Sequence, residues 1–136
     1  MRIERHFTKA GQDAYQTIAF RKADVVMKNP DGSVVFECKG TEVPEAWSQV
    51  ATDVLAQKYF RKAGVAAKLK RVEENSVPSW LWRSVPDEAA LAKLPENERI
   101  VGESSSKQVF DRLAGAWTYW GWKGGYFDTE EDAKAF

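Results

Sequence analysis

The chain has 136 residues, a mass of 15.4 kDa, 43% hydrophobic and 29% charged residues, and no net formal charge. That is the size and balance of one ordinary globular domain; it excludes a collagen, a coiled coil or a disordered chain, and no run of about 18 uncharged apolar residues is present to cross a membrane. The charge is unevenly divided, with 13 Lys/Arg against 8 Asp/Glu in residues 1–72 and 7 against 12 thereafter, so a basic nucleic-acid footprint over the whole chain is absent.

Tyr15–Phe20 and Ala23–Lys28 read as strands rich in β-formers, and Ser33–Lys39 resumes the apolar run. Between them lies Asn29-Pro30-Asp31-Gly32, where proline presets φ and glycine permits a positive one, so the pattern predicts a β-hairpin. Gly11 and Gly40 punctuate its ends. Residues 45–62 give the clearest helical pattern, with Pro44 suited to the first turn and Glu45 to its positive end. Trp47, Val50, Ala51, Val54, Leu55 and Tyr59 recur at helical spacing and are expected to face the core, leaving Gln49, Asp53, Gln57 and Arg61 in solvent. Arg61 and Lys62 fit the last turn and Gly64 the stop. Of the adjacent rings Tyr59 and Phe60, at most one points away from the core.

Residues 65–86 carry no dominant period, but Val77–Trp82 reads as a short helical turn entered at Pro78. Pro86–Leu94 suits a short helix closed by Pro95, and residues 95–104 read as a polar loop. A second strong helix is expected from Ser105 or Ser106 to Trp120, its stripe of Val109, Phe110, Leu113, Ala114, Trp117 and Trp120 reading as core. Trp120–Phe127 sets three glycines among aromatics, a tight turn. Asp128-Thr129-Glu130-Glu131 is a helix-start signature. The helix it begins stops at Phe136 without a stop signal, which reads either as a helix cut part-way or as a C-terminal helix docked in the core. The expected architecture is α+β: one domain over residues 1–136, an N-terminal β-hairpin or small antiparallel sheet with 1–43 mainly β, then 44–136 mainly α.

The chemistry-bearing residues are sparse. One cysteine, Cys38, makes no internal disulfide, and the N-terminus has no secretory pattern; together these point to the cytoplasm. One cysteine and one histidine, His6, exclude a self-contained zinc site. Lys123-Gly124-Gly125 lacks the strand and spacing of a phosphate loop. Cys38 as a nucleophile would need His6 as base, and a free cysteine at a strand end is better explained as a small buried hydrophobe. The carboxylate pairs Glu73-Glu74, Asp87-Glu88 and Glu130-Glu131 fit capping and solubility better than acid–base work. No residue is therefore assigned to catalysis, cofactor binding or metal ligation. Two surfaces stand out. No acid interrupts residues 54–72, where Lys58, Arg61, Lys62, Lys68, Lys70 and Arg71 sit beside Tyr59 and Phe60; cations with stacking rings suit a single strand or nucleotide, and a solvated helix end is the plainer reading. Trp80, Trp82 and Trp122 are the less constrained tryptophans and candidates for a docking surface.

Two long runs, Ala46–Val65 and Lys107–Phe127, with Met1–Thr8, Asn29–Phe36 and Trp80–Ser84, resemble the N-terminal domain of the long-form class II ribonucleotide reductases, the vitamin B12-dependent enzymes. The likeness covers nearly the whole chain. It implies a full enzyme that reduces ribonucleotides to 2′-deoxyribonucleotides. Adenosylcobalamin would supply a radical to an active-site cysteine on a barrel, and a cysteine pair would reduce the substrate. Those parts lie downstream of the segment matched, and Cys38 fits no catalytic position. The resemblance implies that the helix begun at Asp128 continues into the barrel domain, so that the chain is a fragment. It also implies a structural role, packing against the catalytic barrel domain, in cis or as a separate chain; the number and position of the basic residues 58–71 and of Trp80, Trp82 and Trp122 make them the expected contact surfaces. A nucleotide is a further candidate partner, and nucleic acid and membrane are not expected. The alternative from the residues alone is an independent module binding a nucleotide, a single strand or a protein through residues 58–71.

Overall fold

The computed structural model describes residues 1–136. Its elements in chain order are β1 (Phe20–Lys28), β2 (Val34–Pro44), α1 (Gln49–Lys58), β3 (Val65–Ala66), β4 (Leu69–Arg71), a 3₁₀ turn (Ser79–Leu81), β5 (Ser84–Pro86), α2 (Glu88–Leu91), α3 (Glu96–Arg99), β6 (Ile100–Val101), α4 (Ser106–Lys123) and α5 (Glu130–Ala135). The fold is α+β. Each sheet has two strands, ordered β1-β2, β3-β6 and β4-β5. Contacts group the residues into two compact units. The hairpin unit holds Tyr15–Val65 and Val101–Phe110, and the terminal unit holds Met1–Ala14, Ala66–Ile100 and Asp111–Phe136.

In the hairpin unit, β1 and β2 pair antiparallel around the expected Asn-Pro-Asp-Gly turn. Gly32 supplies the left-handed residue at φ 86°, and Asp31 Oδ1 accepts from the Ser33 amide at 2.8 Å. Residues 15–19 form turn rather than strand: the Ile18 amide bonds back to Tyr15 O at 3.0 Å. Gly40 lies inside β2 instead of ending it. Ala23 pairs with Thr41 and Val25 with Cys38, so Asp24 alone faces both Lys39 and Gly40. This is a β-bulge with glycine in the left-handed region, φ 64°, and Asp24 Oδ1 accepts from the Gly40 amide at 2.8 Å. The extra residue moves β2's inward set from Phe36 and Cys38 to Thr41 and Val43.

Helix α1 starts later than proline placement suggests. Pro44 ends β2 and the Glu45 amide bonds Ala19 O at 2.8 Å, so the strand holds this segment. The cap is Ser48, whose hydroxyl accepts from the Ala51 amide. The helix ends at Lys58, leaving Arg61, Lys62 and the positive-φ Gly64 outside it. Its buried face is Thr52, Leu55 and Ala56; Val50 and Val54, expected inside, are exposed. The cause is Thr52: its hydroxyl donates to Ser48 O at 3.0 Å, which satisfies the polar atom within the helix and frees the methyl for the core. Of the two neighbouring rings, Phe60 is buried and Tyr59 exposed.

In the terminal unit, β4 and β5 pair antiparallel, Leu69 with Pro86 and Arg71 with Ser84. The long connection between them holds the 3₁₀ turn, entered at Pro78 as expected. Asp87 caps α2 by accepting from the Ala90 amide at 3.1 Å. Residues 96–99 form helix and 100–101 strand, where the composition suggested a loop; the short strand pairing and the bond from the Ala67 amide to Arg99 O at 2.9 Å account for the order. In α4 the rings of Trp117 and Trp120 are exposed, contrary to the core reading, and Thr118 is buried instead. Its hydroxyl donates to Ala114 O at 2.7 Å, the same device as Thr52. Thr129 caps α5 in a capping box with Asp132. Residues 1–5 lie along this cap. The Ile3 amide donates to Asp132 Oδ1 at 2.8 Å, the Met1 ammonium pairs with Asp128, and Arg5 stands 3.6 Å from Glu131.

Candidate functional site

The six basic residues are divided between the two units. Lys58, Arg61 and Lys62 belong to the hairpin unit and Lys68, Lys70 and Arg71 to the terminal unit. Arg61 Nε contacts Glu103 Oε1 at 3.1 Å. Lys62 Nζ donates to Gln57 O at 2.7 Å and sits 5.0 Å over the Phe36 ring. The Arg71 guanidinium donates to Trp82 O. Half of the run is thus engaged within its own unit, and the basic-aromatic platform finds no support in this arrangement.

Trp80, Trp82 and Trp122 are half-buried clamps of the terminal unit. Trp80 Nε1 donates to Glu130 Oε1 at 2.6 Å, with Lys134 Nζ over its ring. Trp82 Nε1 donates to Val77 O at 2.9 Å and Trp122 Nε1 to Ser76 O at 2.7 Å. Ser76 holds a positive φ of 66°, unusual for a residue other than glycine, which presents that carbonyl to the indole. The rings open to solvent are Trp117 and Trp120.

Sequence reasoning missed the polar cluster beside these clamps. The Tyr119 hydroxyl donates to Glu74, 2.7 Å from Oε2, and Lys123 Nζ lies 2.8 Å from Oε1. Forty-five residues separate Tyr119 from Glu74, and no local spacing announces the meeting. The hydrogen bond from Lys123, then that from Tyr119, holds the Glu74 carboxyl below its ordinary value. The bond to Glu74 raises both Tyr119 and Lys123. A depressed carboxyl stabilises the fold above its unfolded value, 4.5 for Glu74, and that contribution is lost as pH falls through the folded value. The raised Lys123 stabilises below its unfolded value, 10.5, and that contribution is lost as pH rises through its folded value. Melting temperature should therefore fall less between pH 7 and pH 3 in Glu74→Gln than in the wild type; equal falls would show the cluster inert.

A second polar group ties α4 to β2 within the hairpin unit. The Ser105 hydroxyl donates to Glu42 Oε1 at 2.6 Å, which lowers the Glu42 carboxyl. Lys107 Nζ lies 3.6 Å from Glu42 and 4.2 Å over the Phe20 ring. Cys38 is half-buried and its sulfur accepts from the Thr41 hydroxyl at 3.1 Å. No group of three His, Cys, Asp or Glu side chains is placed to hold a metal ion, and no helix is long and apolar enough to cross a membrane. Beside α1 an open groove of about 410 Å³ is lined by Trp47, Val50, Ala51, Val54 and Tyr59 with the Ser48 hydroxyl. This chain's surface thus offers apolar contact area, clamped rings and the polar cluster of Glu74, Tyr119 and Lys123.

The family described as class II vitamin B12-dependent ribonucleotide reductase matches residues 21–136. The chain is 69% identical, over all 136 residues, to the vitamin B12-dependent ribonucleotide reductase of Bradyrhizobium diazoefficiens. It is 68% identical, again over all 136 residues, to that of Agrobacterium fabrum. A shorter stretch of 64 residues, 46% of the chain, is 47% identical to the Streptomyces coelicolor enzyme. The chain spans 11% of the length of each of the first two relatives. The chain belongs to the class II, vitamin B12-dependent ribonucleotide reductase family.

Proposed function

We propose that the chain is the N-terminal, non-catalytic domain of an adenosylcobalamin-dependent ribonucleotide reductase, and that it packs against the part of the enzyme that carries the chemistry. The observation that carries this reading is a 136-residue match at 69% identity to a protein of which the match makes up 11%. The residues in hand point the same way. Ribonucleotide reduction through a cysteine radical and a reducing cysteine pair needs several thiols, and this chain has one. The open groove beside α1 is a poor match for the cofactor. A corrin edged with amides needs hydrogen-bonding partners, whereas the α1 groove offers one hydroxyl, Ser48, already used to cap the helix. In this reading the cobalamin and the reducing cysteines belong to the remainder of the enzyme.

The test is reconstitution. This chain is mixed with the separately made downstream polypeptide of the Bradyrhizobium diazoefficiens reductase, and adenosylcobalamin-dependent reduction of ribonucleotides is assayed beside complex formation. A complex with higher activity than the downstream part alone is the expected result. Neither a complex nor a gain in activity would overturn the reading.

A further inference from the structure

Helix α1 is apolar on two faces. One, Thr52, Leu55 and Ala56, is buried in the hairpin unit. The other is open: Val50 is 71% exposed and Val54, one turn on, 47%. Local structure gives no reason for these two residues. A β-branched side chain is a poorer helix former than the Lys, Glu or Gln of an ordinary solvated face. The exposed Tyr59 at the end of the helix and Phe110, whose ring meets Trp47 edge-on at 6.1 Å, widen the patch. Isolated surface valines need no explanation, but a contiguous apolar patch marks an interaction site. The amide of Gln49, beside the patch, is already paired: its Nε2 donates to Asp24 O at 3.0 Å and to Asp53 Oδ1 at 2.7 Å. The face therefore calls for an apolar counterpart rather than a charged one.

We propose that the Trp47–Val50–Val54–Tyr59–Phe110 face is where the remainder of the reductase seats on this domain. This rests on the docking reading above and deepens it by assigning the contact surface. The occupant follows from length. The relatives that match the whole chain at 68–69% identity carry it as 11% of their length, so nearly nine-tenths of such an enzyme is polypeptide available to cover the face.

The test is the double variant Val50→Glu/Val54→Lys. It places Glu four residues before Lys, the favoured order for a helical ion pair, and leaves net charge unchanged, so the chain should keep its fold. Binding to the downstream polypeptide of the Bradyrhizobium diazoefficiens reductase is measured by calorimetry, with circular dichroism and melting of each chain alongside. Affinity should fall by about 100-fold or more, since anchors at an interface centre dominate its energy. Val54→Lys alone serves if the pair disturbs the helix. A variant that folds and binds as tightly as the wild type overturns the assignment of the face and leaves the docking reading standing. A wild-type chain that does not bind overturns both. A wild-type dimer that the variant disperses makes a second copy the occupant and overturns the proposal as stated.

Discussion

Phe60→Ala is expected to destabilise the protein by about 3–5 kcal/mol, against a total of about 5–15 kcal/mol for a domain of ordinary stability. The ring is 6% exposed and follows directly on the end of α1. There the Tyr59 amide bonds Leu55 O at 2.9 Å in the ordinary helical way and the Phe60 amide reaches the same oxygen at 3.3 Å, the wider closure of a helix C-terminus. Truncation removes the transfer energy of the ring and leaves a cavity among side chains that relax only in part. The neighbouring Tyr59→Ala removes a ring of similar size from an exposed position and should cost less than about 0.5 kcal/mol. Urea unfolding of the two variants separates them; similar losses would mean that Phe60 is not part of the core.

Glu103→Ala ranks next, at about 3 kcal/mol. Its side chain is 1% exposed while that of Arg61 is 58% exposed. The carboxylate accepts from the Arg61 backbone amide at 2.8 Å and from Arg61 Nε at 3.1 Å, and the Glu103 amide donates to Arg61 O at 2.8 Å. Alanine takes away the acceptor of a backbone N–H and leaves a void; the guanidinium, already half in water, loses little. Glu103→Gln keeps an oxygen for that amide and should cost clearly less than alanine. Equal losses for Gln and Ala would show that the charge, not the acceptor of the backbone amide, carries the contribution. Unfolding in urea at moderate salt reads the difference, and added salt should not close it, because the carboxylate is out of solvent.

What the sequence showed of the fold was what neighbouring residues encode. The turn at Asn29–Gly32, the 3₁₀ turn at Pro78, the caps Asp87 and Thr129 and the start of α4 all depend on residues within a few positions of one another, whereas α4 runs on to Lys123, past the end expected at Trp120. The helix faces were misread because threonine was counted as polar. Thr52 and Thr118 each bond a carbonyl one turn back, and each then sits in the core where a valine would be expected. The apolar stripes of α1 and α4 are real, but periodicity reports that a face is apolar, not what covers it. The candidate site suffered from the same limit. Six cations close in sequence separated into two units, whereas Glu74, Tyr119 and Lys123, remote in sequence, came together.

The bulge at Gly40 gives β2 a reading frame. At Phe36 and Cys38 the even-numbered side chains turn inward, and from Thr41 onward the odd-numbered ones do. A single-residue insertion within the turn, between Asn29 and Ser33, shifts neither set relative to its β1 partners. The same insertion between Thr41 and Val43 puts the two out of phase and turns one of these fully buried residues to solvent. A one-residue deletion at Gly40 would remove the bulge and set Phe36, Cys38, Thr41 and Val43 in a single parity, opposite Met27, Val25, Ala23 and Arg21 of the uninterrupted β1. Length variation among related chains should therefore be tolerated at the tip of this hairpin, and at its root only as loss of the bulge residue, not as an insertion between Thr41 and Val43.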